Sequence, residues 1–380
     1  MTKAAVSTLG EQFLLSNYGT FFQHYALRRV LREMGFAPFR VSHVSDRYER
    51  IGFLLNWIKD AARPVYWLLR MRSNWRANFR RMFEADILHM LFLVDYRKLI
   101  GHFHETQDFA NAMLGIMGGD QVLGEKEGRL WLTDLPGKSR RITYAASTDW
   151  TERRCDLEWQ AFATKQFERF HAIGIRERAG VVLCRGLVDD RRTVDHVADP
   201  VMLLSDQEYK RIAGKGAIFR RPTLFCYLVN IRSMDDLRIG EYEKLAKALG
   251  CELKMAGIQG AEFHIPGRYR IRLRPVQFLR AMIDASYVVT NSYHGSVFAA
   301  IFKKNFLSIW QNCPKGTNQN ERQKEFMAQF GLGPRWVDWR AGAEKWQTAI
   351  LGPVDWDAVC GGIEIFRRES LTWLKKAINA

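Results

Sequence analysis

The sequence predicts an α/β protein made of two Rossmann-like lobes that face each other across a cleft. Three observations carry this. Short apolar runs suited to buried parallel strands alternate with stretches of helical periodicity. The chain has 380 residues, too many for one ordinary core. Turn-forming residues gather at Ser205-Asp206, Gly214-Lys215-Gly216 and Arg221-Pro222, after which a fresh strand–helix–strand series begins. The division expected is residues 1–205, 206–352, and a terminal stretch 353–380 whose helix, about 363–377, can cross back to the first lobe.

In chain order, Asn17-Tyr18-Gly19-Thr20 is a turn signal that opens a helix. Phe21, Phe22, Tyr25, Ala26, Val30, Leu31 and Met34 recur there at three- and four-residue spacing, and Gly35 closes it. Strand-like runs follow at Ala112–Met117, Ile142–Ala146, Ala172–Ile175, Leu224–Val229, Glu252–Met255, Tyr287–Thr290 and Phe306–Ile309. Helical patterns at about 152–170, 238–249, 276–284, 295–303 and 320–330 separate most of them. No internal repeat is visible.

Residues 51–100 stand apart. They mix Trp57, Trp67 and Trp75 with Lys59, Arg63, Arg70, Arg72, Arg76, Arg80 and Arg81. Interfacial aromatics beside cations suit a helix lying on an anionic membrane surface. The plainer reading, which is favoured, is a helical excursion packed on its own domain.

Composition narrows the class. Hydrophobic residues make up 47% and charged residues 26%, as in an ordinary globular protein. No run reaches 18 apolar residues, and the first ten residues lack the apolar core of a secretory signal. Cys155, Cys184, Cys226, Cys251, Cys313 and Cys360 form no CxxC pair, which reads as reduced cytoplasmic thiols with neither a disulfide framework nor a zinc site. A net charge of +16 favours an anionic partner. Nucleic acid is disfavoured, because no nucleic-acid-binding motif accompanies the charge.

The most informative stretch runs from Ala285 to Phe298. Its apolar run breaks into Thr290-Asn291-Ser292-Tyr293-His294-Gly295 and then resumes as a helix, which places His294 where open α/β sheets hold ligands. A capping role for Asn291 and Ser292, with a core histidine, is the plain alternative. Gly118-Gly119-Asp120-Gln121 follows another strand; Asp120 there either meets a ligand hydroxyl or caps the next helix. Arg176 and Arg178 follow a third strand, and a guanidinium is well made for carboxylate or phosphate, although a surface pair with Glu177 is as good a reading. Asn318, Asn320 and Arg322 open a helix whose N-terminus suits phosphate. His102-Phe103-His104-Glu105 lacks a third metal ligand at usual spacing and reads as surface. There is no Walker A loop, no GxGxxG after a strand and no GxSxG.

Six segments, in order, resemble the polysaccharide pyruvyl transferase family. They are Asn17-Tyr18-Gly19 with Gln23-His24-Tyr25-Ala26-Leu27; Gly119-Asp120-Gln121-Val122, similar to "GSDQVW"; and Ile142-Thr143-Tyr144-Ala145-Ala146-Ser147, similar to "SYAAS". Arg176-Glu177 resembles "VRE", and Val197-Ala198-Asp199-Pro200-Val201-Met202-Leu203-Leu204 resembles "VLDPTLLL". Thr290 to Phe298 resembles "TNSFHGT.F", the family's most diagnostic signature. Two departures stand out: Leu123 replaces the usual Trp, and Ser292 stands where some members carry an Arg.

The resemblance implies a GT-B-like fold and transfer of pyruvyl from phosphoenolpyruvate (PEP) to a sugar diol as a cyclic ketal, in exopolysaccharide or cell-surface glycan biosynthesis. It implies His294 as general acid and Arg176 and Arg322 as the donor clamp, with Ser292 and Lys304 beside the donor and Lys303 a further candidate cation. Asp120, with Asn17 and Gln121, faces the acceptor, so the first lobe is the acceptor side and the second the donor side. PEP is a co-substrate; no cofactor or metal is called for, since protein cations can meet its charge. A lipid-linked acceptor would suit a cytoplasmic protein resting on the inner face of the plasma membrane. Two alternatives stay open: a GT-B nucleotide-sugar glycosyltransferase, and a non-catalytic protein binding anionic surfaces or carbohydrate.

Overall fold

The computed structural model describes residues 2–7, 16–41, 75–101, 108–124, 126, 130–151, 155–310 and 320–379, with side chains in the 75–101 segment from Ile87 onward. Trp57, Trp67, the basic residues 59–81 as side chains, His102-Phe103-His104-Glu105, Cys313 and Asn318 lie outside the described residues.

The first sheet comprises β1 (Thr2–Ser7), β2 (Phe36–Arg40), β3 (Ala112–Gly119), β4 (Arg140–Ala146), β5 (Ala172–Ile175) and β6 (Val194–His196), in the order β2-β1-β3-β4-β5-β6. Its helices are α1 (Tyr18–Glu33), α2 (Trp75–Leu99), α3 (Leu157–Phe167) and α4 (Arg178–Arg185). After α5 (Asp206–Ala213) come β7 (Thr223–Val229), α6 (Met234–Leu237), α7 (Ile239–Ala248), β8 (Glu252–Ile258), α8 (Ala261–His264) and α9 (Pro275–Asp284). The second lobe continues with β9 (Tyr287–Thr290), α10 (Tyr293–Ile301), β10 (Asn305–Ile309), α11 (Glu321–Gln329), β11 (Trp336–Val337) and α12 (Ala343–Leu351), before the terminal helix α13 (Trp356–Asn379). The second sheet has the order β11-β10-β9-β7-β8, and every pairing in both sheets is parallel.

Strand burial explains the pattern. All seven residues of β7 are buried, as expected of a parallel strand covered on both faces. The strands that sequence patterning does not register are β1, β2, β6 and β11. Three of them are sheet edges, where short or polar strands and a proline such as Pro38 are tolerated. The fourth, β1, is central, but its buried segment begins Ala4-Ala5, residues with little strand preference.

An aromatic seam joins the lobes. Tyr18 of α1 stacks on Phe278 of α9 at 4.3 Å, meets Tyr227 of β7 edge-on at 5.5 Å, and donates its hydroxyl to the Leu273 carbonyl. Phe22 meets Phe298 of α10 at 5.4 Å. Each such pair contributes about 0.5–1.5 kcal/mol beyond burial of its area. Leu88, Phe92 and Tyr96 of α2 belong to the same cluster, so this part of the 51–100 segment is held by packing. The helix α13 returns to the first lobe: Ser370 Oγ accepts from Ala198 N, and Trp373 Nε1 donates to Asp195. With the lobes joined along this seam, the carboxyl ends of β3–β6 are left facing the carboxyl end of β9.

Candidate active site

The turn after β9 is built by its own polar side chains. Thr290 Oγ1 donates to the Tyr227 carbonyl and accepts from Ser292 N; Asn291 exchanges two hydrogen bonds of 2.7 Å with Val229. Ser292 is the N-cap of α10 and accepts from Gly295 N, which leaves its hydroxyl committed to the helix. The turn therefore delivers His294 in the first turn of a buried helix.

The first lobe supplies the opposing wall. Asn17 caps α1, accepting from Gly19 N at 2.8 Å and Thr20 N at 3.3 Å. Gly19 then lies flat against the His294 ring; a Cβ there would sit 2.1 Å from Nδ1. This contact explains the glycine of the Asn17-Tyr18-Gly19 segment. Asn17 positions the histidine through Gly19, and its side-chain oxygen is already occupied.

His294 Nε2 lies 3.4 Å from Asp199 Oδ2, near enough for attraction but not aligned as a hydrogen bond. That nitrogen is buried without a hydrogen-bond partner. Asp199 also accepts from Gln23 Nε2 at 2.6 Å, Arg176 Nη1 at 3.0 Å and Val201 N at 2.9 Å. Burial works against its ionisation, but His294, Arg176 and the Val201 amide outweigh it and hold the carboxyl below its usual range.

Arg176 is the hub. Its guanidinium donates to Glu177 at 2.6 Å, Asp199 at 3.0 Å, Asp120 at 2.9 Å and Ser147 Oγ at 2.8 Å, while the Tyr293 ring covers it at 4.7 Å. Its side chain is 2% exposed. Burial would lower its proton affinity, but Glu177, Asp120 and Asp199 reverse this and keep it charged. The arginine read from sequence as a donor clamp is thus already saturated by protein groups.

Arg322, from the first turn of α11, crosses between lobes to the same Asp120 Oδ1 that Arg176 holds. Burial favours the neutral acid at Asp120, yet Arg322, Arg176 and then His294 pull the carboxyl far below its ordinary value. Three carboxylates thus face two guanidinium groups, and the unbalanced charge lies beside His294.

Beside this cluster the lobes leave a cleft of roughly 130 Å³, lined among others by Gln121, Asp149, Trp150, Glu177, Arg322 and Glu325. A smaller space of roughly 20 Å³ opens on Arg176, Asp199, Tyr293 and Arg322. Trp150 Nε1 donates to Glu177, and Glu325 accepts from Arg178 N across the lobes.

Of the residues singled out in the sequence, His294, Arg176, Asp120 and Arg322 converge here, with Gln121 on the cleft wall, while Asn17 and Ser292 act as helix caps beside it. Lys304 stands apart: it follows the far end of α10 and donates to the Ile283 carbonyl. Asp199, Gln23, Glu177 and Ser147 join the site without being singled out by the sequence as site residues. The only sequence signal for Asp199 is its place in the Val197–Leu204 segment, at the carboxyl end of β6.

Two parallel Rossmann-like sheets meeting at their carboxyl edges define a GT-B-like fold. Solved structures agree on the architecture. UDP-GlcNAc 2-epimerase of Methanocaldococcus jannaschii, in complex with UDP-GlcNAc and UDP, aligns at TM-score 0.51 and 12% identity, covering 98% of this chain and 100% of that one. UDP-N-acetylglucosamine 2-epimerase of Rickettsia bellii aligns at 0.53 and 9% identity, covering 99% and 96%. No curated protein sequence matches the chain. The family model "Polysaccharide pyruvyl transferase" matches residues 17–312, and the chain belongs to that family. Membership makes it a transferase with a role in polysaccharide pyruvyl transfer. Among the described residues, no helix is long and apolar enough to cross a membrane.

Proposed function

We propose that this protein transfers the pyruvyl group of PEP to two hydroxyls of a saccharide, forming a cyclic ketal and releasing phosphate, during assembly of an exopolysaccharide or other cell-surface glycan. One observation carries the reading: in a cluster where nearly every polar group is paired, the buried Nε2 of His294 is left unpaired beside a carboxylate.

The steps follow from the chemistry. One sugar hydroxyl adds to C2 of PEP while C3 receives a proton from His294 and becomes a methyl group. The second hydroxyl then replaces phosphate at C2, and its proton leaves with phosphate or solvent. Asp120 Oδ1, held between Arg322 and Arg176, occupies the place a donor oxyanion would take. An arriving PEP displaces it from Arg322 first, the more accessible of the two arginines. Freed of its cations, Asp120 becomes basic enough to accept a hydroxyl proton, which couples donor binding to activation of the acceptor. The cleft at Gln121 and Trp150 receives the acceptor sugar. Ser292 lies close by as a cap, and Lys304 takes no part.

The net charge of +16, with Met90 and Val94 exposed on α2 near Arg97 and Lys98, supports a cytoplasmic protein making peripheral contact with an anionic membrane. Sedimentation with anionic vesicles at low and high salt tests this; binding indifferent to vesicle charge contradicts it. The test of the main reading is acceptor-dependent phosphate release from PEP, with a matching mass gain in the sugar. Absence of both with every pyruvylatable diol offered refutes the reading.

A further inference from the structure

Trp150 is the one aromatic side chain among the described residues that line the inter-lobe cleft; all its other lining residues except Ala179 are polar. It lies just beyond the carboxyl end of β4, the end at which open parallel sheets bind ligands. The cleft, at roughly 130 Å³, is well below the about 300–1,000 Å³ of sites for drug-sized ligands, so it suits a single ring. Arg322, which reaches Asp120 from the second lobe, lines the same cleft. A ring seated on Trp150 therefore lies beside the arginine proposed to meet the donor.

The indole is fixed from several sides. Its Nε1 donates to Glu177 Oε2 at 2.8 Å, and the other oxygen of that carboxylate accepts from Arg176 Nε at 2.6 Å and Ser147 Oγ at 2.7 Å. Its six-membered ring lies against Gly180 of α4, where a Cβ would come within 2.2 Å of Cζ2. The ring also packs on the first-lobe core cluster that holds Val181 and Cys184. The backbone of Trp150 is left-handed, at φ 50°, which is unfavourable for a bulky residue. Such strain persists only where the surroundings impose it, and it gathers at ligand sites. The half-buried indole is thus preset, with polar groups around it. That combination matches a sugar, whose C–H face rests on an aromatic ring while its hydroxyls meet amide, carboxylate and guanidinium groups. A nucleoside diphosphate also stacks on indole, but it would meet Asp149, Glu177, Glu321 and Glu325 here with Arg322 as the only cation among the described lining residues.

We infer that Trp150 is a specificity-determining residue: a preset platform for one ring of the acceptor, which chooses among epimeric sugars by the face each can lay on the indole. An axial hydroxyl on that face holds a ring away from the platform, and one on the opposite face does not. The use of the platform in transfer rests on the proposed function; its binding of sugar does not.

Ligand-observed NMR titration of the full chain without PEP tests the platform. The probes are the methyl glycosides of glucose, galactose and mannose, which differ in their axial hydroxyls, with UDP and GDP as counter-probes. Trp150→Gly removes the ring and suits the left-handed backbone, and Trp150→Phe keeps a ring. The expected result is a preference for one epimer. Trp150→Gly weakens its binding about tenfold, as for the loss of one ring contact, and levels the preference; Trp150→Phe keeps the affinity within about threefold. Gly180→Ala, which pushes the indole aside with Trp150 intact, should reproduce the loss, and it decides the matter if Trp150→Gly does not fold. Binding of no glycoside, an affinity and epimer preference unchanged by loss or displacement of the ring, or UDP or GDP as the ligand lost would each overturn the inference. Because PEP is absent, the outcomes separate. Trp150-dependent sugar binding without any pyruvyl transfer refutes only the proposed reaction, and transfer with Trp150-independent sugar binding refutes only the platform.

Discussion

Gly19 and His294 approach so closely across the lobes that no side chain fits between them: a Cβ on Gly19 would lie 2.3 Å from Cγ of the imidazole. The helix that Asn17 caps is thereby a support for the histidine. Gly19→Ala should turn the ring out of place. We expect turnover to fall at least about 100-fold, in line with the loss of a proton-transfer group, at an overpacking cost of about 1–3 kcal/mol. Phosphate release and a denaturant melt measure the two effects; full turnover in the folded variant contradicts the support role.

Arg176 behaves as a structural hub. Removing it leaves Glu177, Asp120 and Asp199 buried together without the charge they share. Arg176→Ala should therefore lower unfolding free energy by about 3–5 kcal/mol. A variant with wild-type stability and only a raised KM for PEP would return Arg176 to the role of a simple donor clamp.

Arg322 differs. Its side chain is 15% exposed, it reaches Asp120 from the other lobe, and Asp120 keeps Arg176 when Arg322 is lost. Arg322→Ala should raise the KM for PEP at least about tenfold and cost less stability than Arg176→Ala, because Asp120 alone loses a partner and keeps Arg176. Steady-state kinetics with varied PEP decide this, and an unchanged KM removes Arg322 from the donor site.

These assignments show what the sequence made legible. Strand ends flagged His294, Asp120 and Arg176, because apolar runs broke into polar residues at the right places. The partners that define their states were hidden. Asp199 meets His294 only through the pairing of lobes, a contact 95 positions apart in the chain that no local pattern encodes. Asn17 and Ser292 were visible as candidate ligands, but both are good N-caps, and local capping claimed their oxygens. Lys304 stands in the sequence only as a candidate cation in place of the Arg that Ser292 replaces, and it follows the end of α10 remote from His294.

His196 gives a pH signature. Its Nε2 bonds the Arg176 carbonyl at 2.9 Å, and burial, helped by Arg178, pushes its pKa down to about 4. The unfolded chain takes up this proton near pH 6.5 and the folded one only near 4, so stability from this group is complete above about 6.5 and falls as pH drops toward 4. The loss at pH 4 is on the order of 2–3 kcal/mol. His196→Gln should flatten the stability profile between pH 4 and 6.5 relative to wild type. Parallel profiles for the two proteins, from denaturant melts across that range, would contradict the assignment.

The central claim is that His294 delivers the proton that turns the PEP methylene into a methyl group. Turnover in D2O tests it most directly, by mass analysis of the pyruvylated sugar made by wild type and by His294→Gln. The account predicts one deuterium in each ketal methyl group for the wild type, and formation of that product slowed about 10²–10⁴-fold in a folded variant. A ketal methyl group free of deuterium, or a variant within about tenfold of wild type, would contradict it.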